Sequence, residues 1–124
     1  MRWAALFALL AGVVALRLHI RRYRRCIVDG SSMAPAIRPN DWLMVDALAY
    51  RKRRIMAGQV VLAHDPRMPE RKIIKRVESV RAGGAWLLGD NSRESTDSRT
   101  FGVVANDEIL GRVRLRYWPK PRLF

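Results

Sequence analysis

An uncharged apolar run near the N-terminus, followed at once by arginines, most strongly limits what this chain can form. Residues 3–16 read WAALFALLAGVVAL and contain no charged side chain. As a helix this run would be about 21 Å long, and extension to Ile20 gives about 27 Å. That length approaches the roughly 30 Å hydrocarbon core of a bilayer. Residues 3–20 are therefore predicted to form a single membrane anchor.

Two other interpretations of this run stay open, a cleaved secretion signal and a core or interfacial helix. Arg2 and the apolar centre suit a signal, but arginines stand where a small-residue cleavage site is expected. Five arginines follow the run: Arg17, Arg21, Arg22, Arg24 and Arg25. Because Lys and Arg concentrate on the cytoplasmic side of membrane anchors, the pattern predicts that the rest of the chain faces the cytoplasm.

The charge balance of the whole chain favours contact with anionic partners. The sequence has 24 Lys and Arg against 11 Asp and Glu, a net charge of +13. Such a balance attracts polyanions or an anionic membrane surface, so a non-catalytic, membrane-tethered basic binding domain is one alternative. Nucleic acid is not an expected partner, because the aromatic residues are not interleaved with the basic ones as in a stacking platform. The single cysteine, Cys26, excludes an intrachain disulfide and a Cys-rich metal site, and no cofactor is predicted.

Beyond the predicted anchor segment 1–25, the chain has the pattern of a mostly β domain over residues 26–124. Short apolar runs alternate with turn signals. Strands are predicted at 41–48, 58–64, 72–80, 85–90 and 108–118, with a basic loop at 50–54. In the last strand Val113, Leu115 and Tyr117 alternate with arginines, which predicts one buried face and one solvated arginine face.

The segment VDGSSMAPAI, residues 28–37, contains two adjacent serines and raises the question of a nucleophile. A serine hydroxyl needs a neighbouring base before it can attack a carbonyl. Of the two histidines, His19 lies in the apolar run and His64 ends a predicted strand. Neither lies in a stretch suited to a catalytic triad.

Lys75 is the other candidate base. A strand of period 2 places Ile73, Lys75 and Val77 on one face, so the lysine lies between two β-branched apolar residues. A lysine that acts as a base needs its pKa lowered from about 10.4 towards 7, and burial in an apolar setting can do this. The pattern alone favours two interpretations of Lys75 equally: a buried base, or a charge on an edge strand that prevents aggregation.

A polar segment, GDNSRESTDSR (residues 89–99), lies between two apolar stretches. Composition alone predicts a long solvated loop. Its contents also suit the bracing of a site: the hydroxyls of Ser92, Ser95, Thr96 and Ser98, and the pair Asp97 and Arg99, could orient a buried lysine.

In this order, the segments resemble the type I signal peptidase family of Ser-Lys endopeptidases. SSMAPAI resembles the nucleophile box, GQVVLA (58–63) a strand box, KRV (75–77) the lysine box and GDNSRESTDSR the closing box. The resemblance runs from Val28 to Trp118. It implies a compact, mostly β, signal-peptidase-like catalytic domain after one hydrophobic helix, and a precursor protein as substrate.

The resemblance also implies a role for individual residues. Ser32 matches the nucleophile, Lys75 the general base, and Ser95 the hydroxyl that orients the lysine. Asp97 and Arg99 match a structural ion pair, and Asp90 and Asn91 match the turn that shapes the site. The oxyanion and substrate-binding positions are Gly30, Ser31 and Met33, next to the backbone N–H of Ser32. Many members carry a Ser or Thr donor where this chain has Gly30. Asn40 replaces a family glycine, and Asn tolerates the left-handed backbone that glycine would adopt.

Larger signal peptidases insert a second β subdomain between the lysine box and the closing box. Here only residues 76–88 separate Lys75 from Gly89. This layout, together with WLLGDN and GRVRLRYWP, resembles the proteases that mature nickel-type superoxide dismutase. The resemblance implies removal of an N-terminal extension from that precursor, with nickel belonging to the substrate. A type I signal peptidase that acts on exported precursors is the alternative.

Overall fold

A single helix, α1, precedes the sheet and carries no buried residue. The computed structural model describes all residues from Met1 to Phe124. Helix α1 covers Arg2–Arg22, 21 residues, and is therefore about 32 Å long. Its mean hydropathy reaches 1.9. The helix is therefore long and apolar enough to span a membrane, as the sequence predicted.

The remainder of the chain is built on one antiparallel sheet. Its strands are β1 (Tyr23–Ile27), β2 (Trp42–Asp46), β3 (Val60–Asp65), β4 (Met68–Arg81), β5 (Gly84–Leu88), β6 (Val104–Ala105), β7 (Ile109–Trp118) and β8 (Arg122–Leu123). The strand order is β1-β2-β7-β3-β4-β5-β6, and β8 pairs with β7. A short helix, α2 (Ser98–Phe101), follows β5. The mostly β prediction is confirmed.

The hydrophobic core lies on both faces of the central strand β3. Val60 and Leu62 belong to one apolar cluster, and Val61 and Ala63 belong to the other. Because successive residues of a strand point to opposite faces, this division means that β3 is covered on both sides. The sheet therefore offers a buried surface to side chains of β4, its neighbour.

Strands β1 and β4 differ from the sequence prediction, whereas the backbone at Asn40 agrees with it. Strand β1 was not predicted, because Arg24 and Arg25 are exposed and give an edge strand no apolar alternation. Strand β4 is longer than the predicted 72–80, because it pairs with β3 from Met68 onwards. Asn40 has φ 70°, which confirms that it occupies the left-handed region where the family has glycine.

The arginine face of β7 was predicted to be solvated, and this is wrong. Arg112, Arg114 and Arg116 are all partly buried. Arg116 donates to the Asp41 carboxylate at 3.0 Å, and Arg114 lies 3.8 Å from the Asp46 carboxylate. Both aspartates are buried. The alternation reflects paired charges within the fold, which a single-strand pattern cannot distinguish from a solvent-facing stripe.

Candidate active site

The loop that follows β1 holds Ser32 at the surface of the core. Met33 and Ile37 are 2% and 0% exposed and pack into an apolar cluster. The N–H of Ile37 donates to the Met33 carbonyl at 3.0 Å, which closes a turn. Gly30 enters this turn with φ +93°, in the region that favours glycine. Buried anchors therefore fix the backbone that follows Ser32, while Ser32 itself stays partly exposed.

Lys75 is buried in β4, with only 4% of its surface exposed. Ile73 and Val77, on the same face, are also buried, so the prediction that these three residues share an apolar face is confirmed. Burial lowers the pKa of Lys75, because the charged ammonium loses water. The Asp97 carboxylate opposes that shift, while the nearby Arg71 guanidinium adds to it.

The segment after β5 supplies the polar partners of Lys75. The ammonium of Lys75 donates to Ser95 Oγ at 3.2 Å, and Ser95 Oγ donates to Asp97 Oδ2 at 2.7 Å. Asp97 is 1% exposed and also accepts from the N–H of Gly89 at 2.9 Å and from Arg99 Nη2 at 2.8 Å. Burial alone would raise the pKa of Asp97, but these hydrogen bonds hold it well below its usual range. A fixed, ionised carboxylate therefore orients Ser95 towards the lysine.

Asn91 joins the closing segment to the nucleophile loop. Its N–H donates to the Ser32 carbonyl at 2.8 Å, and its side-chain amide donates to the Ser31 carbonyl at 3.2 Å. Gly89 lies at the same junction, where an added Cβ would overlap Ser95 Oγ and the Ser32 carbonyl. Asp90 forms an ion pair with Arg76 of β4 at 2.8 Å. The turn that the resemblance assigned to Asp90 and Asn91 thus connects the loop, β4 and the closing segment.

The 89–99 segment is more ordered than a solvated loop. Residues Ser92–Glu94 form a 3₁₀ turn, and α2 begins at Ser98 with Asp97 accepting from the N–H of Arg99. Ser98 Oγ accepts from the N–H of Leu87 at 2.8 Å and is buried. Ser92 and Thr96 stay exposed. The predicted bracing therefore comes from Ser95, Asp97 and Ser98 rather than from all four hydroxyls.

Ser32 and Lys75 line the same cavity, of about 340 Å³. Gly30, Ser31 and Met33 line it too. The structure contains no direct hydrogen bond between Ser32 Oγ and the Lys75 ammonium, as is common for catalytic pairs before substrate tightens the site. Neither histidine lines this cavity, which agrees with the interpretation that neither serves a triad.

The structure distinguishes the two adjacent serines, which their chemistry could not. The Ser31 hydroxyl donates to the Glu94 carboxylate, whereas the Ser32 hydroxyl has no such partner. Sequence reasoning did not identify Glu94 or Arg71 as part of the site. Arg71 could have been found from its spacing, since it lies four residues before Lys75 and so on the same face of β4.

Comparison with known proteins agrees with this geometry. The family model described as "Signal peptidase, peptidase S26" matches residues 1–80 and 77–118. The chain belongs to this family. The two matched ranges overlap at residues 77–80, just after Lys75.

Relatives in the family are named as membrane proteases and signal peptidases. "Mitochondrial inner membrane protease subunit 1" of Xenopus tropicalis is 35% identical over 113 residues, covering 75% of this chain and 68% of that protein. "Mitochondrial ATP-independent inner membrane protease subunit 1a" of Arabidopsis thaliana is 33% identical, covering 74% and 68%. "Probable signal peptidase I-2" of Synechocystis is 26% identical, covering 98% and 76%. The chain is therefore a peptidase of the signal peptidase type. Its apolar N-terminal helix fits a membrane-anchored protein.

Proposed function

We propose that this peptidase is a membrane-anchored serine endopeptidase in which Ser32 is the nucleophile and Lys75 the general base. The observation that carries the proposal is a buried lysine with a lowered pKa that lines the same cavity as an accessible serine. Perturbed titratable groups in a cleft favour a catalytic role. A non-catalytic basic binding domain or an inert scaffold would not explain why Lys75 is buried.

The proposed reaction proceeds through an acyl-enzyme. Neutral Lys75 takes the proton of Ser32 Oγ as that oxygen attacks the scissile carbonyl. The protonated lysine then gives its proton to the leaving amine, and the acyl group stays on Ser32 as an ester. Lys75 next takes a proton from water as the water oxygen attacks the ester carbonyl, and it returns that proton to Ser32 Oγ as the ester bond breaks. Ser95, held by Asp97, is a positioning residue that aims the lysine.

The backbone N–H of Ser32 is the first donor to the oxyanion of both tetrahedral intermediates. Gly30 has no side-chain donor, so either a backbone N–H supplies the second donor or the oxyanion hole is weaker. A missing donor typically costs about 10²–10³ in rate. A substrate that binds with its own backbone well ordered would offset part of that cost.

The proposed substrate is the precursor of a nickel-type superoxide dismutase, from which an N-terminal extension is removed. Two observations support it. The connection from β4 to β5 is a bare turn at residues 82–83, which matches the minimal layout of the subgroup that the sequence resembles. The arginines at the end of α1 favour a cytoplasmic site, which suits a precursor that has not been exported. An exported precursor is the second candidate, favoured by the match to a probable signal peptidase over 98% of this chain.

Intact-mass measurement of two precursors tests this proposal. The wild-type chain in detergent is incubated with a nickel superoxide dismutase precursor and, separately, with an exported precursor. We expect a single loss of the N-terminal extension from the first only, and none with Ser32→Ala. Cleavage of the exported precursor alone would keep the dyad but contradict the dismutase assignment and the cytoplasmic orientation. Cleavage of neither precursor would contradict the whole assignment.

Replacement of Arg71 is expected to shift the pH dependence of cleavage. The Arg71 guanidinium lowers the pKa of Lys75, so Arg71→Gln raises that pKa and leaves less neutral lysine at neutral pH. The acid limb of the kcat/KM profile, which reports the base in the free enzyme, then moves to higher pH. Arg81→Gln, an equal charge change at the far end of β4, is the control. An unmoved limb in Arg71→Gln would contradict the placement of the base.

A further inference from the structure

A second cavity, of about 310 Å³, lies apart from Ser32 and Lys75 and shares no lining residue with their cavity. This volume lies at the lower end of the roughly 300–1,000 Å³ typical of small-molecule sites. Four arginines line it and no carboxylate does; they are Arg53, Arg54, Arg112 and Arg114. Arg53 and Arg54 form no ion pair within the protein. The cavity therefore concentrates positive charge, which the fold offsets only at Arg114, 3.8 Å from the Asp46 carboxylate.

Arg112, in the wall of this cavity, carries an unsatisfied donor. Its Nε is buried and has no hydrogen-bond partner in the protein, while its Nη2 donates to the main-chain oxygen of Phe124 at 3.3 Å. A buried donor without an acceptor is costly, and native structures rarely leave one. The exposed guanidinium groups of Arg53 and Arg54 are open to an oxygen of an anionic ligand in the cavity. Guanidinium groups bind phosphate in this way through paired donors.

The cavity also lies close to the end of the membrane helix. Asp46 is the link, because its carboxylate pairs with Arg22, the last residue of α1, at 2.8 Å and lies 3.8 Å from Arg114 of the cavity wall. The main chain is joined at the same point, since the N–H of Ala47 donates to the Arg22 carbonyl at 2.8 Å. Through Asp46, the cavity wall at Arg114 is thus joined directly to the place where the helix would leave the bilayer.

We propose that this arginine-lined cavity binds a phosphate group, and that its position assigns the site to the headgroup of an anionic phospholipid. The site would hold the domain against the bilayer surface at a fixed orientation relative to α1. Basic residues near an anionic membrane surface are attracted to it. A cavity lined by arginines would also fix the position at which a phosphate group binds. The proposal is independent of the peptidase chemistry, because no residue of the proposed dyad takes part.

Native mass spectrometry of the full chain in detergent tests the proposal. We expect a retained phosphatidylglycerol molecule and at least about tenfold lower occupancy by phosphatidylcholine. Arg112→Gln and Arg54→Gln are each expected to weaken phosphatidylglycerol binding by about tenfold, as the loss of one charge-assisted hydrogen bond implies. Arg54 is exposed, so its variant answers the question even if Arg112→Gln folds poorly. Arg81→Gln removes the same charge elsewhere and is expected to bind like the wild type.

Inorganic phosphate is the second probe, measured as a shift of the thermal midpoint in phosphate-free buffer. If phosphate binds through Arg54 and Arg112 and phosphatidylglycerol does not, the site belongs to a soluble phosphate compound and the lipid assignment is overturned. If Arg54→Gln, Arg112→Gln and Arg81→Gln retain phosphatidylglycerol equally, binding follows net charge alone and the cavity is not a site.

Discussion

Ser32→Ala is expected to abolish precursor cleavage while the chain stays folded. Removing the nucleophile of a serine peptidase removes the covalent route entirely, and the comparable loss in other serine peptidases is about 10⁴-fold or more in kcat. The Ser32 side chain forms no hydrogen bond on which the fold depends; its carbonyl, which accepts from Asn91, is unchanged by the substitution. Single-turnover cleavage of a labelled precursor measures the loss, and the thermal midpoint checks the fold.

Ser31→Ala is the matched control, one residue away with the same chemical change. The Ser31 hydroxyl donates to the Glu94 carboxylate, so its loss removes one hydrogen bond. We expect that variant to keep activity within about tenfold of the wild type. Equal loss in both variants would mean that the loop, not the Ser32 hydroxyl, carries the effect, and activity that survives in Ser32→Ala would contradict the assignment.

Much of the candidate site follows from sequence because each piece depends on local pattern. Period 2 in β4 placed Ile73, Lys75 and Val77 on one face, but it left open whether that face is buried, which the structure shows. The left-handed backbone at Asn40 likewise followed from what a glycine position allows. Ser32, by contrast, was separated from Ser31 only by resemblance, since the contact that occupies the Ser31 hydroxyl comes from Glu94, more than 60 residues away.

What the sequence could not supply are the pairings between distant segments. The alternation in β7 predicts solvated arginines. In the structure, Asp46 of β2 and Asp41, just before β2, lie close to Arg114 and Arg116. Strand β1 has no apolar alternation of its own and forms because β2 offers it an edge. Gly89 carries no local signal of the close approach of Ser32 and Ser95. Each of these features depends on tertiary contacts, which propensity and periodicity do not encode.

Lys75→Met is expected to lower cleavage by about 10²–10⁴-fold, the usual contribution of a general base. Met has similar length and fits the apolar site between Ile73 and Val77, but it cannot take the Ser32 proton. The remaining activity should also lose the pH dependence that the lysine imposes. The kcat/KM profile of the variant measures both effects. A wild-type rate or a retained acid limb would show that another group is the base.

The same substitution is expected to raise the stability of the chain at neutral pH. The pKa of Lys75 is lower in the folded chain than in the unfolded one, so between those two values the unfolded state binds more protons and the stability of the wild type rises with pH. At neutral pH the fold bears the cost of holding this buried lysine, and methionine removes it. Ser95 Oγ still donates to Asp97 in the variant, so no buried donor is stranded there.

The urea midpoint of both proteins, in the same detergent at pH 7 and again above pH 10.5, measures this effect. We expect the variant to have the higher midpoint at pH 7, and the difference to shrink at the higher pH, where the lysine is neutral in both states. Lys72 provides the control, because its own side chain is exposed on the opposite face of β4. We expect no such gain in Lys72→Met. A variant that is less stable at both pH values would mean that the hydrogen bond from Lys75 to Ser95 outweighs burial. A gain in stability together with a loss of activity would identify burial of Lys75 as a cost that the fold retains for chemistry.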